Sequence, residues 1–194
     1  RRGSLLPIAI AVTLMIGALE LTRCFATKST RPHRWFACLM TMILVLTPWL
    51  SAAGWLGHGA AQVEGLYWSV VLLSASVVGA GALTVFRGRP DNALNDISAT
   101  VMIIFYLGFL GSFAIQIRSG RDSPEADGAW LLLISLLVIR ASDIGAYFAG
   151  SAFGRHKLIP GISPGKTIEG MFGGLLASSG LAVLFVLVHS WMGG

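Results

Sequence analysis

Long apolar runs separated by short polar connections set the pattern of this chain. Six of them stand out: Leu5–Phe25, Trp35–Leu56, Leu66–Phe86, Ile97–Ile117, Ala129–Phe153 and Met171–Met192. Each reaches, or nearly reaches, the roughly 20 residues a helix needs to cross a bilayer. None alternates apolar and polar residues as a barrel strand does, so helices are predicted. The expected fold class is all-α, a polytopic integral membrane helix bundle of about six transmembrane helices. Residues 1–194 are expected to form a single membrane domain. No internal repeat or low-complexity tract interrupts the pattern. The chain starts without Met and stops just after an apolar run, so a fragment of a longer protein is expected. Leu5–Ala26 is too long for the apolar region of a signal peptide and lacks a clear cleavage site.

Composition agrees with a membrane setting. Hydrophobic residues make up 55% and charged residues 12% of the chain, and mean hydropathy is +0.75. A soluble domain carries about 25% charged residues, so a water-covered surface is excluded. The net charge of +5 is no nucleic-acid signal, because membrane proteins gather Lys and Arg in their cytoplasmic loops. No nucleic-acid partner is expected. Cys24 and Cys38 form neither a CxxC pair nor a Cys/His cluster, so no zinc site or disulfide framework follows.

Charge is distributed unevenly among the connections. The first holds Arg23, Lys28, Arg31 and Arg34, the third Arg87 and Arg89, and the fifth Arg155, Lys157 and Lys166. The second, around Gly57–Gly65, has no basic residue and one acid, Glu64. In the fourth, Arg118 and Arg121 are offset by Asp122, Glu125 and Asp127. Nine basic residues against two place the odd connections in the cytoplasm. Arg1 and Arg2 would then lie outside, against the rule.

Three charges fall within the apolar runs: Glu20, Arg140 and Asp143. Such charges are costly in a bilayer. Glu20 reads as an interfacial acid paired with Arg23. Arg140 either snorkels or pairs with Asp143, in a structural or a functional role. On the fifth run Asp143, Ala146, Tyr147, Gly150 and Gly154 form one helical stripe. Its small residues suit a packing seam, but the acid and the phenol on it point toward a polar cavity.

Polar residues are densest in Ser142–Gly170. Lys157 and Lys166 are point charges suited to phosphate, and Arg155 can grip one bidentately. Ser163 and Thr167 add hydroxyls. Ser163-Pro164 reads as a helix entry, with Ser as N-cap and Pro at the first helical position. The helix would then carry Lys166, Thr167 and Glu169 in its first turns, with its free amides facing an anion. An ordinary basic loop followed by a capped helix reads the same residues equally well. Gly161–Thr167 is one residue short of a P-loop and follows no strand. His156 is expected to be a loop residue.

The pattern Ser142-Asp143-xx-Ala146-Tyr147-xx-Gly150-xxx-Gly154-x-His156-Lys157-Leu158, then Ser163-Pro164-Gly165-Lys166-Thr167-x-Glu169-Gly170, resembles the phosphatidate cytidylyltransferase (CDP-diacylglycerol synthase) family. The Ala-Leu-Glu20-Leu at the end of the first run is also similar. The resemblance implies transfer of CMP from CTP to phosphatidic acid with Mg²⁺, releasing pyrophosphate. It makes Asp143 a metal or active-site acid. Lys166, with Ser163 and Thr167, holds phosphate, and Arg155 and Lys157 draw in the anions. Tyr147 lines the substrate site, and Glu169 either orients Lys166 or approaches the metal. It also implies a homodimer in the bilayer, in a bacterial inner membrane with the basic loop facing the cytoplasm. The family's further signature is a Lys-Arg segment, a Lys-Asp pair, a Gly-His-Gly-Gly turn and an Asp-Arg-x-Asp element. None of these occurs here, so this chain alone is expected to hold an incomplete metal site. A CTP-using polyprenol or phytol kinase, a transporter with Asp143, Arg140 and Glu20 as a charge relay, and a non-catalytic relative are the alternatives.

Overall fold

A computed structural model describes residues 5–26, 30–55, 61–88, 90–119, 128–161 and 163–191. Arg1, Arg2, Lys28, Arg89, Arg121, Asp122, Glu125 and Asp127 lie outside the described residues. Every predicted run is helical, and six helices are long and apolar enough to cross a membrane. The chain is an integral membrane protein of helical architecture.

Helix α1 spans Leu5–Phe25, as predicted. Helix α2, Arg34–Ala52, ends short of the predicted Leu56. Gly54 there adopts φ +81°, a left-handed conformation that costs glycine little. The Gly54 N–H then donates to the Ser51 carbonyl (2.9 Å) and the Trp55 N–H to the Leu50 carbonyl (3.1 Å). This is the Schellman closure of a helix. Helix α3 is Ala61–Arg87. The fourth run is helix α4 (Ala93–Ile103), a π-helical turn (Ile104–Phe109) and helix α5 (Leu110–Ser119). Helix α6 is Gly128–Phe153 and helix α7 is Ile168–Trp191. Between them lie two short antiparallel strands, β1 (Lys157–Ile159) and β2 (Ser163–Thr167), a hairpin that the sequence pattern did not predict.

The chain divides into two compact units, Arg1–Ser123 and Pro124–Gly194. In the first, α2 touches α1, α3, α4, α5 and the π-helical turn. Its core joins Ala18, Ala37, Cys38, Leu44, Ile103 and Ile104. Small residues there let backbones approach, as in other membrane bundles. Gly108 shows how closely: a Cβ on it would stand 3.1 Å from the Thr41 Cα of α2.

A buried polar network closes one end of this unit. Because α4 begins at Ala93, Asp96 lies inside the helix, and it is fully buried. Its Oδ1 accepts the Arg31 backbone N–H (2.5 Å), and its Oδ2 stands 3.8 Å from the Arg87 guanidinium. Arg87 also donates to the Arg31 carbonyl (2.6 Å). The buried His33 joins through its backbone N–H to Thr100 Oγ1 (2.9 Å) and its Nε2 to Thr84 Oγ1 (2.8 Å). The Thr84 hydroxyl proton is already given to the Ala80 carbonyl, so Nε2 must be the donor. Burial first, then the positive Arg87, push the His33 pKa below its ordinary value. A neutral ring suits that hydrogen bond.

Asp96→Ala strands the Arg31 N–H and leaves Arg87 facing no charge. Arg87 is partly exposed, so the main loss is the buried hydrogen bond from the Arg31 N–H to a charged acceptor, worth about 1.5–3 kcal/mol. Thermal or denaturant unfolding in detergent is expected to show a loss of that size, with a smaller one for Asp96→Asn, whose amide oxygen still accepts from Arg31. Equal stability of all three forms would make the network incidental.

Candidate active site

The second unit is an antiparallel pair of membrane helices, α6 and α7, joined by the hairpin. They pack on glycine: a Cβ on Gly145 would stand 2.7 Å from the Gly173 carbonyl oxygen, and one on Gly173 would stand 2.8 Å from that of Gly145. A Cβ on Gly174 would likewise lie 2.9 Å from the Ser142 carbonyl oxygen. The predicted stripe therefore splits. Its small members, Ala146 and Gly150, face α7, with Gly154 against Thr167. Asp143 and Tyr147 lie on an exposed flank of α6.

The expected inward turn of Asp143 is corrected by this geometry. The seam takes the helix face one residue back, through Ser142, Gly145 and Ala149, which rotates position 143 off it. Arg140 and Asp143 do form the anticipated i,i+3 pair, at 3.8 Å, with both side chains exposed. Glu20 is exposed as well, and no ion pair joins it to Arg23 among the described residues. Among the described charges inside helices, the one that is fully buried is Asp96, which the predicted run from Ile97 excluded.

The hairpin is anchored at its base. After Phe153 the Gly154 N–H still bonds to the Gly150 carbonyl (3.1 Å). Arg155 and His156 then lead into β1, whose Lys157 pairs with Thr167 and whose Ile159 pairs with Ser163. This pairing corrects the Ser163-Pro164 helix entry: Ser163–Thr167 is extended, and the helix starts at Ile168. The cap is Thr167, whose buried Oγ1 accepts the Gly170 N–H (3.1 Å). The Ile168 N–H is taken by the His156 carbonyl (2.9 Å). Two amides at the start of α7 are thus spent within the protein.

Glu169 clasps the hairpin. Its Oε1 accepts from His156 Nδ1 (2.7 Å), and both its oxygens lie 3.3 Å from the His156 backbone N–H. A carboxylate only accepts, so Nδ1 carries the proton. The expected orientation of Lys166 by Glu169 is replaced by this grip on His156, which joins the start of the hairpin to the start of α7. His156 is a loop residue, as expected, and its side chain ties that loop to the start of α7. Its partner sits thirteen positions away, and only the hairpin brings the two together.

The structure gathers Arg155, Lys157, Ser163, Lys166, Thr167 and Glu169 around this hairpin. Arg155, Lys157 and Lys166 are exposed and Ser163 is half-buried. Alternation along β2 turns Lys166 to the face away from buried Thr167. Asp143 is set apart, about 15 Å along the helix axis from Phe153 at 1.5 Å per residue, with Tyr147 between. Among the described residues no group of three or more His, Cys, Asp or Glu could hold a metal ion.

The profile described as "Cytidylyltransferase family" matches residues 2–193. The chain belongs to the cytidylyltransferase family. It is 30% identical, over 97% of its own length and 50% of the relative's, to phosphatidate cytidylyltransferase 5, chloroplastic, of Arabidopsis thaliana. It is 28% identical to the phosphatidate cytidylyltransferase of Mycobacterium leprae, covering 95% of this chain and 66% of that protein. It is 32% identical to that of Staphylococcus haemolyticus, covering 91% and 60%. The chain spans about half to two thirds of the length of these curated relatives. No solved structure matches it. Membership in the cytidylyltransferase family agrees with the resemblance carried by Ser142–Gly170.

Proposed function

We propose that the protein acts in transfer of CMP from CTP to phosphatidic acid, giving CDP-diacylglycerol and pyrophosphate. The observation that carries the reading is the clasped hairpin, which holds Arg155, Lys157 and Lys166 where two membrane helices meet the surface. An oxygen of the lipid phosphate attacks the α-phosphorus of CTP. The bond from that phosphorus to the bridging oxygen breaks, and the electron pair leaves with pyrophosphate. The nucleophile is already anionic, so bringing two polyanions together is the main barrier. Fixed cations lower it by offsetting charge on the triphosphate and on the leaving group. Lys166 and Arg155 bind phosphate oxygens, Lys157 adds to the field, Ser163 and Thr167 supply hydroxyls, and Tyr147 lines the lipid side.

Mg²⁺ belongs to the proposal as the counter-ion of CTP, with Asp143 as one oxygen donor of this chain. Mg²⁺ demands an octahedron of oxygens. Glu169 is engaged by His156 and Asp143 faces Arg140, so the described residues do not complete such a site. The hairpin connection faces the cytoplasm in this reading, where soluble CTP meets a lipid in a bacterial inner membrane. Pairing of two copies belongs to the same proposal.

The test is CTP-dependent product formation by the full-length protein with phosphatidic acid. Release of pyrophosphate supports the reading, and release of CDP would indicate a lipid kinase. Lys166→Ala is expected to lower kcat/KM for CTP by about 100-fold, the usual scale for losing one preorganised charge-stabilising group. An effect no larger than that of Arg118→Ala would make Lys166 an ordinary surface charge.

A further inference from the structure

The hairpin between α6 and α7 is divided by charge. Its base carries Arg155, Lys157 and Lys166, all exposed. The eight residues between the two lysines, 158–165, hold no charged side chain. Of these, Leu158 is 36% and Ile159 47% exposed, and Pro160 and Gly161 are exposed as well. A two-stranded hairpin has no core of its own and needs a surface to lie on. Two aliphatic side chains left open at its tip call for an apolar one.

The base of the hairpin is tied to the helices. The Ile168 N–H bonds to the His156 carbonyl, the His156 ring bonds to Glu169, and Thr167 packs on Gly150 and Gly154 of α6. The hairpin therefore springs from the level of the last turn of α6, where one membrane span ends and the next begins. Phe153, at that end, is exposed, as aromatic residues at the level of lipid headgroups are. The three residues of β1 carry the tip about 10 Å from this level, at roughly 3.3 Å each. One headgroup layer is about 5–8 Å thick, half the difference between the whole bilayer and its hydrocarbon core. A hairpin leaning toward the membrane reaches the acyl chains, whereas one standing upright leaves Leu158 and Ile159 in water.

We propose that the hairpin tip docks into the bilayer interface, with Leu158 and Ile159 among the first acyl carbons and the flanking cations at the level of the lipid phosphates. The occupant of this apolar tip is the lipid surface itself. Position favours it, because the hairpin joins two membrane spans directly. Charge favours it too, because cations flank the tip on both sides and an anionic leaflet attracts them. Apolar side chains bordered by Lys and Arg are the composition of segments that lie in the interface, and the long stems of those cations can cross the boundary while their heads stay wet. The inference goes beyond the proposed function: it concerns where the hairpin rests, whatever reaction its cations serve.

The test reads depth and needs no turnover. Full-length protein carrying Cys24→Ser and Cys38→Ala receives a single nitroxide at Ile159→Cys. It is reconstituted in liposomes of phosphatidylcholine and phosphatidylglycerol. Relaxation of the label by oxygen, which concentrates in the bilayer, is compared with relaxation by a water-soluble nickel chelate. Oxygen is expected to dominate and to place the label at a depth of about 5–10 Å, that of the apolar faces of interfacial segments. Preference for nickel would put the tip in water and overturn the docking. Shielding from both would mean that another protein segment or a second copy covers the tip, which overturns it equally. A second label, at Leu158→Cys, reads what holds the tip down. Adding Ile159→Asp is expected to shift that label toward nickel, because a charge is costly below the headgroups. A Leu158 label that stays at depth in this variant would count against Ile159 as an anchor and against the docking. Neither readout uses CTP, so a failure of CMP transfer would count against the proposed function and leave the docked hairpin standing.

Discussion

Asp143→Asn is expected to abolish CTP-dependent product while the protein stays folded in the membrane. The side chain lies on the exposed flank of α6, beside Arg140 at 3.8 Å, and both members of the pair are exposed. Exposed pairs contribute about 0–1 kcal/mol, and an amide has nearly the shape of a carboxylate. The helix seam, which runs through Ser142, Gly145 and Ala149, is untouched. A loss of activity therefore reports on charge at position 143 and not on folding. The expected size is about 1,000-fold, the upper range for losing one charge-offsetting contact in the transition state, because Asp143 is proposed to help hold the Mg²⁺ that supplies it. Product formation and membrane content, measured on the same preparation, check it. Retained activity would remove Asp143 from the site.

Gly173→Val is expected to have the largest effect on stability. A Cβ there would overlap Ala149 and stand 2.8 Å from the Gly145 carbonyl oxygen. The obstruction is backbone as well as side chain, so no rotamer change relieves it, and α6 and α7 must separate. Overpacking costs about 1–3 kcal/mol in cores that can relax, and this seam is expected to exceed that range. Gly180 provides the comparison, because nothing lies within 4 Å of its Cβ position. Gly180→Ala should be neutral or slightly stabilising, since alanine favours a helix by about 1 kcal/mol over glycine. Thermal unfolding in detergent separates the two. Activity should fall with Gly173→Val too, because Thr167 packs on Gly150 and Gly154 at the far end of the seam and carries the hairpin with it. Equal melting of the two variants would mean that the helices do not meet through these glycines.

Which properties were legible from residue order follows from how local each one is. A span of about 20 apolar residues must become a helix in lipid, because its backbone groups have no other partner. That requirement made all six helices readable, and α1 to the residue. The cations of the hairpin were readable too, because Arg155, Lys157 and Lys166 stand out in a chain with so little charge. Helix ends set by backbone geometry were less so: α2 stops where Gly54 turns left-handed, not where the apolar residues run out.

Tertiary structure decided the rest through contacts between distant positions. Strand pairing of Lys157 with Thr167 moved the start of α7 from Ser163 to Ile168, because two short strands satisfy backbone groups that a helix would otherwise have used. The Glu169–His156 grip and the Asp96 bonds to Arg31 and Arg87 join residues 13, 65 and 9 positions apart. No periodicity announces such pairs. The helical stripe placed Asp143 and Gly150 on one side, but the seam was settled by which glycines on α7 came opposite. Hydrophobic pattern determines that a segment crosses the membrane; the rotation of that segment, and so which polar group it presents, is determined by the helix packed against it.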